Sequence, residues 1–329
     1  MTTRRNALGA LASVAIGIVA PPPAADAQTL AKVVRLGYLT PTARPELEAA
    51  FREELSRLGY VEGRSLVIEY RNANGRFERL PELAAALVRL DVDVIVAVVT
   101  QAAVAAKAAT TTIPIVMVAV GDPVGAGLVA SLARPGGNIT GNSGANVDVV
   151  GKQLELLREV LPGASRVAAL WNPTNAVFGT QQLNEARPAA ARLNIELQAV
   201  EAARPEALAG AFDTIAKARP DALLVTGDPM FGTQAERIAR LALERRLPTV
   251  GGFANYTDAG ALLSYGASFD ESYRRAAVYV DRIVRGAKPA DLPVERPTRF
   301  ELVVNVRTAK ALGITIPPAL ASRADRLVQ

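Results

Sequence analysis

Asp122 and the glycines after it are the residues of this chain best spaced for chemistry. In "GDPVGAGLVASLARPGGNITG" the run Gly125-Ala126-Gly127-Leu128-Val129-Ala130 fits G-x-G-x-x-A, a spacing that lets a backbone turn closely around a pyrophosphate at a helix N-terminus. "GNSGA", Gly141 to Ala145, approaches the nucleophile-elbow pattern G-x-S-x-G but ends in Ala. Ser143 would need a base, and the chain contains no histidine and no cysteine. That removes thiol nucleophiles, disulfides, thiolate zinc sites, imidazole metal ligands and every triad with a His base. Asp122 and Asp228 could face each other as a carboxylate pair, but nothing in the sequence marks a substrate held between them. No catalytic residue, metal ligand or cofactor is expected, and the chain is read as a non-enzyme. The glycine motif is also misplaced for a dinucleotide, because the fingerprint normally follows the first strand of its unit and this one follows the fourth.

The net charge of +5 comes from 37 basic and 32 acidic residues spread along the chain. Without a Lys/Arg block or interleaved aromatics this is a mixed solvated surface, and no nucleic-acid partner is expected.

The elements that must position any site alternate regularly. Strands are expected at Val33 to Leu39, Leu66 to Tyr70, Val92 to Val99 and Ile115 to Val120, with helices at Pro45 to Leu58, Phe77 to Leu90 and Gln101 to Ala109. Four β-α units in series predict a parallel sheet covered on both faces. After the turn-rich "RPGGNITGNSGAN" the alternation restarts, with strands at Arg166 to Trp171, Ile195 to Val200, Ala222 to Thr226 and about Thr249. A strand at Ala261 to Tyr265, a helix at Glu271 to Arg285, a proline-rich linker and a strand at Phe300 to Asn305 then suggest a chain that crosses back between lobes. The fold class expected is α/β, with two Rossmann-like lobes joined by a hinge.

Ligands in such sheets sit beyond the carboxyl ends of the strands. Those ends carry Thr40, Thr100, Gln101, Asp122, Asn172, Asn175 and Asp228, and the crossings carry Asn142 and Tyr265. Each has a structural alternative, since Thr, Asn and Asp commonly cap helices and form turns. Asp122 could accept from a ligand or cap a helix beginning near Gly125. Tyr265 could touch ligand or pack between lobes, and Trp171, the only tryptophan, could stack on a planar solute or fill the core edge.

The first residues read as an address. Arg4 and Arg5 precede an uncharged, largely apolar run from Asn6 to Ala20, followed by prolines and Ala25-Asp26-Ala27. The run is too short to span a bilayer, and the small residues suit signal peptidase, so residues 1–27 are expected to be a cleaved signal and the mature protein periplasmic. Export by the Sec or the twin-arginine route stays open.

The long motifs "GDPVGAGLVASLARPGGNITG", "RVAALWNP", "GALLSYG" and "AAVYVDRIVRGAKPADLPVERPTRFELVVNVRTAKALGITIP" resemble the exported solute-binding proteins of ABC importers, in the family that includes tryptophan-binding TrpX-like proteins. The resemblance runs from about Val33 to the C-terminus. It implies a type I periplasmic-binding-protein fold that closes around a small organic solute, with an amino acid or aromatic acid as the candidate class, and an inner-membrane ABC permease as partner. Residues 28–141 with about 264–295 are expected to form lobe one, and 142–263 with about 296–329 lobe two. A monomer is expected. The same closure could instead be read by a receptor kinase or chemoreceptor.

Overall fold

The computed structural model describes residues 33–144 and 149–329, so the expected signal segment lies outside the described residues. Five strands, β1 (Val34–Thr40), β2 (Leu66–Asn72), β3 (Val94–Val98), β4 (Ile115–Val120) and β5 (Ile139–Ser143), form a parallel sheet in the order β2-β1-β3-β4-β5. Helices α1 (Pro45–Arg57), α2 (Leu80–Arg89) and α3 (Val99–Ala109) connect its first four strands.

The side-chain period of two explains why apolar runs without polar interruption become strands here. In β3, Val94, Val96 and Val98 join a core with Phe51 and Leu55 of α1, while Ile95 and Ala97 join the opposite core with Leu83 and Leu87 of α2. A strand covered on both faces must be apolar at every position.

The second sheet has the order β12-β11-β10-β9-β8-β6-β7, from β6 (Arg166–Trp171), β7 (Glu196–Glu201), β8 (Ala222–Val225), β9 (Thr249–Gly251), β10 (Leu263–Ala267), β11 (Phe300–Asn305) and β12 (Arg326–Val328). All pair in parallel except β11 against β10. Helices α4 (Val150–Val160) and α5 (Ala176–Arg192) cover one face. On the other lie α6 (Leu208–Ala218), α7 (Pro229–Thr233), α8 (Ala235–Glu244) and α9 (Ala254–Asp258).

Helix α10 (Phe269–Val284) returns to the first sheet, where Tyr273, Ala276, Ala277 and Val280 share the core of α1. The crossing therefore follows β10, at Ser268. The expected start of the returning segment at about 264 is corrected to that point, because the ladder of β10 on β9 and β11 holds Leu263–Ala267 in the second sheet. Ser268 donates its N-H to the Arg299 carbonyl at 3.1 Å, so the second and third crossings run side by side. Helix α11 (Val306–Leu312) ends in Gly313, which takes a left-handed backbone (φ 73°) as its C-cap.

Two sequence expectations fail between β4 and α4. No helix follows Gly125: Ala126, Gly127 and Leu128 donate to the carbonyls of Asp122, Val124 and Pro123 in successive turns, and Gly127 takes φ 65°. Without a helix there is no N-terminal dipole for a pyrophosphate. The first crossing, expected at about Gly141 to Asn146, begins later: the Gly- and Asn-rich "ITGNS" is buried strand β5, and residues 145–146 lie outside the described residues. The composition of β5 disguised it, for strands are poor in both residues. The reason lies in a register shift between Met117 and Val120, where Gly141 (φ 134°) passes so close that a β-carbon would sit 2.1 Å from the Met117 carbonyl oxygen. The shift leaves the Ala119 N-H outside the ladder, and Asn142 Oδ1 accepts it at 2.8 Å. Among the described residues no helix is long and apolar enough to cross a membrane.

Candidate functional site

The carboxyl ends of both sheets face one another across a cleft with two parts. The outer part is a trough of about 1200 Å³. Thr42, Thr100, Asn175, Phe178 and Thr233 border both it and an inner chamber of about 70 Å³. At the inner end the rings of Phe253, from the second lobe, and Phe269, from the first, meet at 4.8 Å.

Lobe one contributes loops after β1, β3 and β4. Thr40 forms a turn, its hydroxyl donating to the Thr42 carbonyl at 2.7 Å. The Thr42 hydroxyl itself is buried without a partner. Thr100 Oγ1 accepts the Gly121 N-H at 3.2 Å and ties the loop after β3 to that after β4. Gln101 lines the outer cleft, and its Oε1 is buried without a partner.

Asp122 caps no helix; it lines the outer cleft and its carboxylate bridges the two lobes. Its Oδ1 accepts the Gly125 N-H at 2.9 Å, and its Oδ2 accepts from Nε2 of Gln181, on α5 of the other lobe, at 2.8 Å. A β-carbon at Gly125 would lie 2.0 Å from Asp122 Oδ2, so glycine is needed there for the approach of this carboxylate. Beside the bond, Phe178 of α5 packs on Gly121, where a β-carbon would stand 2.8 Å from the ring. These two contacts hold the rims together.

Lobe two uses its polar strand ends differently. Asp228 is 3% exposed and accepts from Nδ2 of Asn172 at 3.1 Å, Nδ2 of Asn175 at 2.9 Å and the Met230 N-H at 2.9 Å, capping α7. Asn172 Oδ1 in turn accepts the Thr174 N-H and hydroxyl. All three residues line the outer cleft, and their polar groups are largely occupied by one another.

Two expected site residues line neither part of the cleft. Asn142 is 4% exposed and spends its amide on the Ala119 N-H and the Ser272 carbonyl, joining β4 to α10. Tyr265 stacks on Phe300 across the β10–β11 pair at 5.9 Å, and packs against the core of the second lobe. Trp171 likewise packs beneath α5, where a β-carbon on Gly179 would lie 3.0 Å from its ring.

Sequence reasoning missed Arg44, Thr42, Phe178, Phe253, Phe269 and Tyr273, all at the inner chamber. None ends a strand, which was the signal followed. Among the described residues, Arg44 is the only charged one lining that chamber. Burial pushes the hydroxyls of Tyr256 and Tyr273 upward in pKa, and in both cases Arg44 opposes the shift, a sign that its cation stands close to these two rings. Val99 and Ala119, which also line the chamber, have left-handed backbones (φ 60° and 52°). For β-branched Val99 this is an uncommon and costly conformation.

Residues 39–328 match the family model described as ABC transporter substrate binding protein. The chain is 28% identical over 286 residues to a tyrosine-binding protein of Clostridioides difficile (strain R20291), covering 86% of this chain and 82% of that one. Among solved structures, a conserved domain protein from Vibrio cholerae superposes with a TM-score of 0.82 at 31% identity, over 90% of this chain and 100% of that one. An ABC domain from Streptococcus pneumonia in complex with L-Trp superposes with a TM-score of 0.83 at 25% identity, whereas the ligand-free, open structure of a Clostridium difficile substrate-binding protein reaches 0.69 at 26%. Both comparisons cover 90% of this chain and 99% of the other. The TM-score is thus higher against the structure solved with L-Trp than against the ligand-free, open one. Two α/β lobes closed on a polar cleft, together with a match over nearly all the described residues, make this chain a member of the ABC transporter substrate-binding protein family.

Proposed function

We propose that the protein is a periplasmic solute-binding protein that captures a small amino acid or aromatic acid by lobe closure and delivers it to an ABC permease of the inner membrane. The observation that carries this is the closed cleft itself, sealed by Phe178 on Gly121 and by the Asp122–Gln181 hydrogen bond, with unpartnered polar groups left inside it. Relatives support the solute class: one is a tyrosine-binding protein and another was solved with L-Trp. The N-terminal signal pattern supports export, and the ligand contacts are expected from Thr42, Arg44, Thr100 and Gln101.

A solute that bridges two lobes favours the closed state by its differential affinity for that state. Titration calorimetry with L-tyrosine, L-tryptophan and benzoate, combined with small-angle scattering, tests the reading. One binding site per chain and a smaller radius of gyration at saturation are expected. Binding without compaction would argue against a clamp, and retention of residues before Ala25 in periplasmic protein would argue against the signal.

A further inference from the structure

The inner chamber is built unlike the trough outside it. The trough carries charges of both signs, Arg76, Glu78, Asp122 and Asp228 among them, whereas among the described residues the chamber has one charge, the Arg44 cation. No carboxylate pairs with its guanidinium among the described residues. Glu48, one turn on, instead accepts from the Arg44 backbone N-H at 3.0 Å and the Tyr70 hydroxyl at 2.7 Å. The guanidinium reaches across the cleft, its Nη2 lying 3.8 Å from where a side chain on Gly232 would begin. Two further donors converge. The Thr42 hydroxyl is buried without a partner, and no side chain caps the N-terminus of α3, whose Val99 and Thr100 line the chamber. Uncapped first-turn N-H groups carry partial positive charge.

We propose that this chamber is an anion subsite, in which Arg44, the Thr42 hydroxyl and the first turn of α3 hold the carboxylate of the solute while its body extends into the outer cleft. The proposal rests on the reading of the cleft as the capture site. Size agrees with it: a cavity that takes a benzene ring measures about 150 Å³, so a chamber of about 70 Å³ suits a carboxylate head better than a ring. The chamber and the outer cleft share a border at Thr100 and Phe178, so the remainder of a solute held at Arg44 lies next to the outer cleft. A planar guanidinium suits a carboxylate because two parallel N-H groups meet both oxygens.

The test is calorimetric titration of wild type, Arg44→Gln and Arg44→Lys with L-tyrosine, L-tryptophan and benzoate, and with tyramine and tryptamine, which lack the carboxylate. Wild type is expected to bind at least one acid and to prefer it to the matching amine. Arg44→Gln should weaken the acid about ten- to a hundredfold and leave the amine unchanged, and Arg44→Lys should recover part of the loss. Melting temperatures should stay level, and if Arg44→Gln does not fold, the lysine variant decides alone. Unchanged acid affinity in the folded variant would overturn the subsite and leave the clamp standing. If wild type takes none of the acids, the subsite and the proposed solute class fall together.

Discussion

At the carboxyl ends of the first sheet, Thr42 and Gln101 keep buried polar groups without protein partners, whereas at the same ends of the second sheet Asn172, Asn175 and Asp228 bond to one another. The residue types are those found at any helix cap, and the topological position is the same. What separates the lobes is where the hydrogen bonds go. A buried donor or acceptor left open costs about 1 to 3 kcal/mol unless something fills it, so lobe one carries an unfilled demand at the cleft and lobe two presents a prearranged wall. The wall still matters, because Phe178 and Gln181 close on the first lobe from it.

The largest effect on this contrast is expected from Asp228→Ala. It would strand the donors of Asn172, Asn175 and Met230, costing about 2 to 4 kcal/mol of stability, read as a lowered melting temperature. If the loss appeared in solute affinity with stability untouched, lobe two would be a binding surface like lobe one.

Gly121→Ala strikes the closed state alone. The new methyl would lie 2.8 Å from the Phe178 ring, an overpacking penalty of about 1 to 3 kcal/mol that vanishes when the lobes part. Affinity should fall about ten- to a hundredfold while the solute-free melting temperature holds, and scattering should show less compaction. Equal loss of stability without solute would place the strain inside lobe one.

Val99→Gly should move stability the other way. Releasing a β-branched residue from φ 60° should gain about 1 kcal/mol in a chemical denaturation curve, with weaker solute binding as the chamber wall recedes. A neutral or negative change in stability would show that the Val99 side chain's packing outweighs the strain.

The smallest expected effect is the coupling between Asp122 and Gln181. A double-mutant cycle with Asp122→Ala and Gln181→Ala should return about 1 kcal/mol in solute affinity and close to zero in solute-free stability. Coupling in stability alone would mean that the lobes stay latched without solute.

Much of the frame was legible in order of sequence. β4, β6 and β11 keep the bounds expected of them, and β4 is apolar at every position because a strand buried on both faces admits little else. β5 was not, since its glycine and asparagine serve a register shift made by a strand more than twenty residues earlier. The helix expected after Asp122 failed for a related reason: the turns there follow a carboxylate whose second oxygen is held by the other lobe. In the candidate site, strand-end position led to Thr100, Gln101 and Asp122 at the cleft, and equally to Asn142 and Tyr265, which the core absorbed.

By itself the sequence determined the alternating α/β frame, the absence of histidine and cysteine chemistry, and, through its long motifs, the family. These are properties of residue type, period and extended pattern, which need no knowledge of distant neighbours. Only the tertiary structure decided which polar groups are spent and which are free. Gln181 reaches Asp122 from 59 residues away, Asn142 reaches Ser272 from 130, and Arg44 stands in the chamber because α1 and the returning α10 pack side by side on the first sheet. A hydrogen bond is fixed by distances of a few ångströms, and no local pattern records which distant partner will supply it.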